Sequence, residues 1–346
     1  MEKKKLIYLD RNENHYGPAP KCFKVLSKPN FNKLSSYSRD FSRGVKSRLS
    51  ERLAKEFDID ESRVLLGYGG EDILKQVVHC HLSKGDKILI PAYSWWYYKA
   101  IAEEVEGIKV EYPLIKGDTT FYYDVEEMIR LVNTEKPKMV FVASPNNPTG
   151  NAIDLSELQR FLDSCTDSVV VVDEAYTVFA NTDKTYVKAL VDKYSNLLII
   201  RTFSKYFALA GIRIGFALMG QNLARFSKFS ARYLGYNRLS ERIALAALDS
   251  PEYYEEMRLK MLADIDMFFN EFNKLQGFTA YKSLANFILV EIPSQIKVPL
   301  KNHLLSKGLV VKFMDEDNLQ SHIRISIGTP EENQMLMEAV KEFVSN

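Results

Sequence analysis

Cysteine is scarce: 346 residues hold three, Cys22, Cys80 and Cys165, scattered and odd in number. That excludes a disulfide framework and fits a reducing compartment, so a cytoplasmic location is expected. Net charge is nearly absent, since 46 Lys+Arg against 45 Asp+Glu leave +1. With no basic stripe, a nucleic-acid partner is not expected. Apolar runs such as "SVVVV" and "NLLII" have strand length and fall far short of a bilayer span, so no membrane partner is expected either. The basic start Met1–Lys5 leads into "LIYLDRNEN", too soon polar for the core of a signal peptide. The glycine motifs are incomplete. "GYGGED" lacks the GK[ST] ending of a nucleotide P-loop, and Asp72 stands where a dinucleotide fingerprint needs its third glycine. His79-Cys80-His81 offers no metal site, because residues two apart on a helix do not share a face. There is no internal repeat and no low-complexity segment.

What is present is an alternation. From about residue 40 to 245 helical stretches, "RGVKSRLSERLAKEF" and "DLSELQRFLDSC", interleave with short apolar runs, "DKILIPAY", "PKMVFVASPNNPTG", "SVVVVDEAY" and "NLLIIRTFSK". Near-continuous β-branched runs between helices indicate an α/β fold with a mostly parallel central sheet, helices on both faces. In such sheets ligands bind at the carboxyl ends of the strands. The polar ends "SPNNPTG", "DEAY" and "TFSK" should therefore converge on one crevice. After residue 250 one long helix, "PEYYEEMRLKMLADIDMFFNEFNKL", precedes the short strands "NFILVEI", "GLVVKF" and "HIRISIG" and a last helix, a smaller α+β C-terminal domain. The division expected is an N-terminal arm, 1–37, a large domain, 38–245, and a small domain, 246–346.

The chemistry concentrates around Lys205. A lysine at a strand end is ordinarily a solvated charge. A partly desolvated lysine near a second cation, here Arg213, loses its proton more easily and attacks carbonyls. Thr202 and Ser204 add hydroxyl donors for an anion. Gly67, Gly69 and Gly70 feed a helix beginning near Glu71, whose free N–H groups suit a phosphate, although Gly-Gly before a helix is often only a turn. Asp173 ends a buried strand, which is costly for a carboxylate without a partner. It is either ion-paired or the partner of a protonated ring nitrogen. Tyr176 and Asn147 could bond a ring oxygen, and Tyr93 could stack on a flat ring. A cationic ring nitrogen, a ring oxygen, an aldehyde and a phosphate together describe pyridoxal 5'-phosphate. The run Trp95-Trp96-Tyr97-Tyr98 reads as core and cofactor wall.

At this point the chain resembles a fold-type I pyridoxal-phosphate aminotransferase, and within it the histidinol-phosphate aminotransferase group. The resemblance runs through "LDRNENHYGP", "GYGGEDIL", "PAYSWWYY", "SPNNPTGN", "VVVDEAY", "RTFSKYFALAGIRIGF", "LANFILV" and "HIRISIGTPEEN". It implies that Lys205 bonds the cofactor aldehyde and later moves the proton. It also implies that Asp173 keeps the ring nitrogen protonated, that Tyr176 and Asn147 bond the ring oxygen, and that Tyr93 stacks. Gly70 and Glu71 by backbone N–H, with Thr202, Ser204 and Arg213, would hold the phosphate. Arg324 would grip the substrate anion and Tyr16 would touch substrate. Tyr37 would reach the phosphate of a second subunit, which implies a homodimer. Four places depart from the family's habit: His15 replaces its usual Pro, Glu71-Asp72 its Asp-Glu, Lys312 an arginine it often carries, and "SARYLGYNRLSE" its commoner pattern. The expected reaction is amino-group transfer between L-glutamate and a small phosphorylated amino alcohol or ketone, by family default histidinol phosphate and imidazole-acetol phosphate. The alternative is decarboxylation of a phosphorylated amino acid.

Overall fold

The computed structural model describes residues 6–27, 35–37 and 47–345. A seven-stranded sheet runs in the order Val64–Gly67, Gly215–Met219, Leu197–Thr202, Val169–Asp173, Met139–Ala143, Lys87–Pro91, Ile108–Tyr112. Six strands are parallel, and Gly215–Met219 is antiparallel to both neighbours. The continuous apolar runs follow from burial on both faces. Val140, Val142, Val170, Val172, Leu197 and Ile199 enter one core. Their alternates Phe141, Val171, Leu198 and Ile200 enter the other, against Ile73, Val77 and Ile101. Each such side chain contributes roughly 1.5–3 kcal/mol when fully buried, so neither face tolerates a polar residue.

Three adjacent parallel strands bring their polar ends together. Ala143 stands beside Asp173, and Asp173 beside Ile200, in register. The predicted helix over 43–57 is observed as Arg48–Phe57, started by a Ser47 side chain that accepts from Leu49 and Ser50 N–H. Residues 43–46 lie outside the described residues. The long helix spans Pro251–Phe272, three residues shorter than the sequence pattern predicts.

The smaller sheet is ordered Ile7–Leu9, Leu309–Phe313, His322–Ser326, Phe287–Glu291, Thr279–Tyr281. Its edge strand comes from the segment that the sequence reading set apart as an arm: Ile7–Leu9 pairs in parallel with Leu309–Val311. The alternation of three residues is too short to announce a strand. From there Asp10 to Asn14 crosses to the large sheet. The Asn12 N–H donates to Ser326 Oγ at 2.7 Å, and the Asn14 side chain donates to the Tyr206 carbonyl at 3.1 Å. His15, which could have lined a pocket or sat in a turn, pairs with Glu332 at 2.6 Å and with the Tyr8 carbonyl at 3.1 Å. It fastens this segment to the C-terminal helix.

Candidate active site

A cavity of about 450 Å³ opens where the two sheets face each other across the Asp10–Glu13 segment. Lys205, Asp173, Tyr176, Asn147, Gly70, Glu71, Thr202, Ser204, Arg213, Lys312 and Arg324 all line it. The crevice expected from the strand ends is therefore the one the fold forms.

Lys205 follows the end of strand Leu197–Thr202. Its Nζ donates to the Arg11 carbonyl at 3.1 Å and lies 5.7 Å from the Tyr176 ring centroid. Among the described residues the lysine is tethered by one neutral acceptor and no carboxylate, which leaves it free to turn into the cavity.

Asp173 ends its strand on the same wall. Oδ1 accepts from the Ala175 N–H at 3.0 Å and Oδ2 from the Tyr98 hydroxyl at 2.7 Å. Burial pushes its carboxyl above the usual range. The Tyr98 and Ala175 hydrogen bonds pull it down, Glu174 pushes it up and Lys205 pulls it down. A carboxylate held this way, with no salt bridge among the described residues, is set up to receive a cation.

Tyr176 accepts a hydrogen bond from the Asn12 amide at 3.0 Å. Its own hydroxyl proton is left for another acceptor, such as a ring oxygen. Asn147 Oδ1 accepts from Arg324 at 2.6 Å, which leaves its amide N–H groups as donors. On the opposite side of the cavity, helix Gly70–His81 starts with Gly69 at φ +88° as its cap. The φ of +88° is a left-handed backbone that favours glycine here, and a Cβ would also crowd the Arg213 guanidinium at 2.7 Å. Arg213 itself holds a left-handed backbone, φ 54°, and pairs with Glu71 at 3.3 Å. Thr202 Oγ1 donates to Ser204 Oγ at 2.9 Å and accepts the Ser204 N–H at 3.1 Å. Helix N–H groups, two hydroxyls and a guanidinium thus line the same cavity, the kinds of donor that suit an anion.

Arg324 and Lys312 face each other across antiparallel strands and share the cavity side of the small sheet. The Arg324 guanidinium donates to Asn147 Oδ1 and to the Asp10 carbonyl, both at 2.6 Å, while its buried Nε has no partner among the described residues. Burial lowers its pKa, against the opposing pull of Tyr176, Glu316 and Asp10. Lys312 is more open and makes only a 3.4 Å contact with Asp315.

Three of the expected residues are not on this wall. Tyr93 lies behind it, edge-on to Phe121 at 6.0 Å, because it extends the buried end of strand Lys87–Pro91. The aromatic wall is formed by Trp95 and Trp96. Tyr16 points toward Asp264 and Glu331; burial and those two carboxylates push its hydroxyl up to about 12. Tyr37 is 71% exposed, with its carbonyl accepting from Arg238. Sequence reasoning missed Asn12 and Tyr98. Both sit in stretches that drew attention for other residues, and only their buried partners mark them. Among the described residues, no group of three or more His, Cys, Asp or Glu is placed to hold a metal ion. No described helix is long and apolar enough to cross a membrane.

The residues present fit pyridoxal phosphate: a half-buried carboxylate at a strand end, a lysine bonded to a neutral acceptor, and helix N–H groups, hydroxyls and a guanidinium lining the same cavity. Comparison with known proteins agrees. The model of the family described as "Aminotransferase class I and II" matches residues 4–340. A histidinol-phosphate aminotransferase of Ruminiclostridium cellulolyticum is 32% identical over 98% of this chain and 93% of its own. One from Methanocaldococcus jannaschii is 29% identical over 98% and 90%. Among solved structures, the histidinol-phosphate aminotransferase of Sinorhizobium meliloti in complex with pyridoxal-5'-phosphate superposes with a TM-score of 0.87 at 23% identity, over 99% of this chain and 92% of that one. An L-threonine-O-3-phosphate decarboxylase from Porphyromonas gingivalis shares the fold, with a TM-score of 0.82 at 21% identity over 99% and 100%.

Proposed function

The chain belongs to the class I and II aminotransferases, and on that premise we propose that it moves an amino group between L-glutamate and a small phosphorylated ketone, with histidinol phosphate and imidazole-acetol phosphate as the leading pair. Pyridoxal 5'-phosphate is its cofactor. Bound, that group supplies an aldehyde that condenses with amines and a protonated ring that draws electrons away from the substrate Cα.

The chain's own residues do the rest. Lys205 would hold the cofactor through its Nζ and would be the group that takes the proton from the substrate Cα. Asp173 holds the proton on the ring nitrogen. Tyr176, with its oxygen already accepting from Asn12, donates to the ring oxygen, and Asn147 does so from the next strand end. Gly70, Glu71, Thr202, Ser204 and Arg213 hold the phosphate. Trp96 and Trp95 take the stacking role first given to Tyr93.

The observation that carries the substrate reading is the cross-strand pair of cations, Arg324 and Lys312, on the cavity wall. A planar fork suits either a carboxylate or a phosphate, and an adjacent point charge adds most to a dianion. One site can thus serve glutamate and a phosphorylated partner in turn. We assign the active form as a homodimer, with Tyr37, exposed in the single chain, facing the second subunit's phosphate site, and the cytoplasm as its compartment. The test is a two-arm assay on the purified, cofactor-loaded protein. Histidinol phosphate with 2-oxoglutarate should give glutamate. Release of carbon dioxide from a phosphorylated amino acid, with no glutamate formed in the first arm, would instead assign the decarboxylase chemistry.

A further inference from the structure

Tyr98 is a phenol placed where the fold needs only a ring. It is 2% exposed and lies in helix Tyr97–Glu104, packed edge-on to Phe141 at 5.0 Å and to Trp95 at 6.1 Å. Phenylalanine would fill that space. A buried hydroxyl costs free energy unless it is paired, and among the described residues this one has one hydrogen-bond partner, Asp173 Oδ2 at 2.7 Å. We propose that Tyr98 is a positioning residue for the reaction: by donating to Asp173 it keeps the proton on the cofactor's ring nitrogen rather than on the carboxylate.

What matters for the chemistry is where one proton sits. A carboxylate facing a pyridine nitrogen can exist as an ion pair, carboxylate and pyridinium, or as a neutral pair with the proton on oxygen. Only the first draws electrons strongly. The strand end is poorly solvated, which favours the neutral pair, since burial disfavours charge. Hydrogen bonds to the charged carboxylate oppose that. Asp173 receives two, and the Ala175 N–H on Oδ1 is local to its own turn. The Tyr98 hydroxyl on Oδ2 comes from a separate helix, 75 residues away in sequence. Each carboxylate oxygen keeps further lone pairs for the ring. The directions agree: the Tyr98 bond pulls the Asp173 carboxyl down against burial, and Tyr98's own ionisation is pushed well above its ordinary value, so it remains a donor.

This inference rests on the cofactor assignment but not on the identity of the phosphorylated substrate, so L-glutamate alone serves as the amine. Tyr98→Phe, Asp173→Asn and the double variant are compared with wild type, each loaded with ¹⁵N-ring-labelled cofactor. Two quantities are read: the nitrogen-15 shift of the ring, and the single-turnover rate of Cα proton removal from glutamate. Tyr98→Phe is expected to move the ring signal toward the neutral-pyridine position and to slow the step about tenfold, the equivalent of one pKa unit. In the Asp173→Asn background it should add almost nothing, because the group it acts through is gone. A ring signal unchanged by Tyr98→Phe, beside an impaired Asp173→Asn, overturns this inference alone. Additive losses in the double variant overturn it too, since a packing role would persist without the carboxylate. An Asp173→Asn variant matching wild type in both readings overturns the cofactor placement and this inference with it.

Discussion

Replacing Arg324 with lysine keeps a positive charge and removes the fork. The guanidinium now reaches two acceptors at 2.6 Å, Asn147 Oδ1 from one terminal nitrogen and the Asp10 carbonyl from the other, while its buried Nε has no partner among the described residues. A shorter, single-headed ammonium cannot span both and also present two parallel N–H groups to an anion. Loss of one hydrogen bond involving a charged group costs roughly 1.5–3 kcal/mol, so kcat/KM should fall about ten- to a hundredfold for glutamate and for the phosphorylated donor alike. Burial adds a pH dependence. It already depresses the arginine, and an ammonium starts lower, near 10.4, and is depressed in the same direction. The variant should therefore lose further activity as pH rises above neutrality, where its charge is given up, while wild type keeps its charge. Half-reactions followed by the cofactor's absorbance, one donor at a time, read both effects, with cofactor affinity measured in parallel. If neither donor is impaired, or if the loss lies in cofactor binding, Arg324 is not the substrate anchor.

Other substitutions test the remaining walls of the cavity. Lys312→Ala should raise KM for the phosphorylated substrate more than for glutamate; the reverse order in steady-state kinetics would remove it from the phosphate's surroundings. Asp173→Asn should cut the chemical step by orders of magnitude, yet leave the cofactor-free protein at least as stable at neutral pH. The sign follows from the raised carboxyl: the folded state holds the proton to higher pH than the unfolded chain, so stability falls as pH rises from the ordinary carboxylate value through the folded one. Urea unfolding of both proteins at pH 5 and 8 checks it, and a variant markedly less stable than wild type at pH 8 would contradict it. Asn12→Ala leaves the Tyr176 oxygen short of its donor and places alanine at φ 54°. The expected cost is roughly 1–3 kcal/mol in urea unfolding, and no measurable change would mean the strand-crossing segment is not held at Asn12.

The large sheet was legible because its signal is local. "SVVVVDEAY" and "NLLIIRTFSK" each carry an apolar run and a polar end, and parallel order then sets Asp173 beside Ile200, two residues before Thr202. This part of the cavity lining was legible for the same reason: Gly70, Glu71, Thr202, Ser204 and Arg213 lie at element ends, and all line the cavity. What failed depended on which way a side chain leaves the backbone. Tyr93 and Trp95 are two apart beyond a strand end, and the turn that follows Pro91 decides which of them meets the cavity. Tyr16 was placed on its motif alone, whereas the chain between Asp10 and Asn14 is directed by partners some 190 to 314 residues away, Tyr206 and Ser326. Asn12 and Tyr98 owe their roles wholly to such long-range partners. Ile7–Leu9 joins the small sheet through pairing with Leu309–Val311, a contact with no trace in three residues of sequence.

The central claim is that Lys205 is the residue that carries the cofactor. Borohydride reduction of the cofactor-loaded protein, followed by peptide mass spectrometry, tests it directly, because reduction makes the lysine–cofactor bond permanent. The account predicts one modified peptide, containing Lys205 within "TFSKYFALAGIR", and none after Lys205→Ala. A reduced cofactor found on another lysine, or an unmodified Lys205 in protein that turns over glutamate, would contradict it.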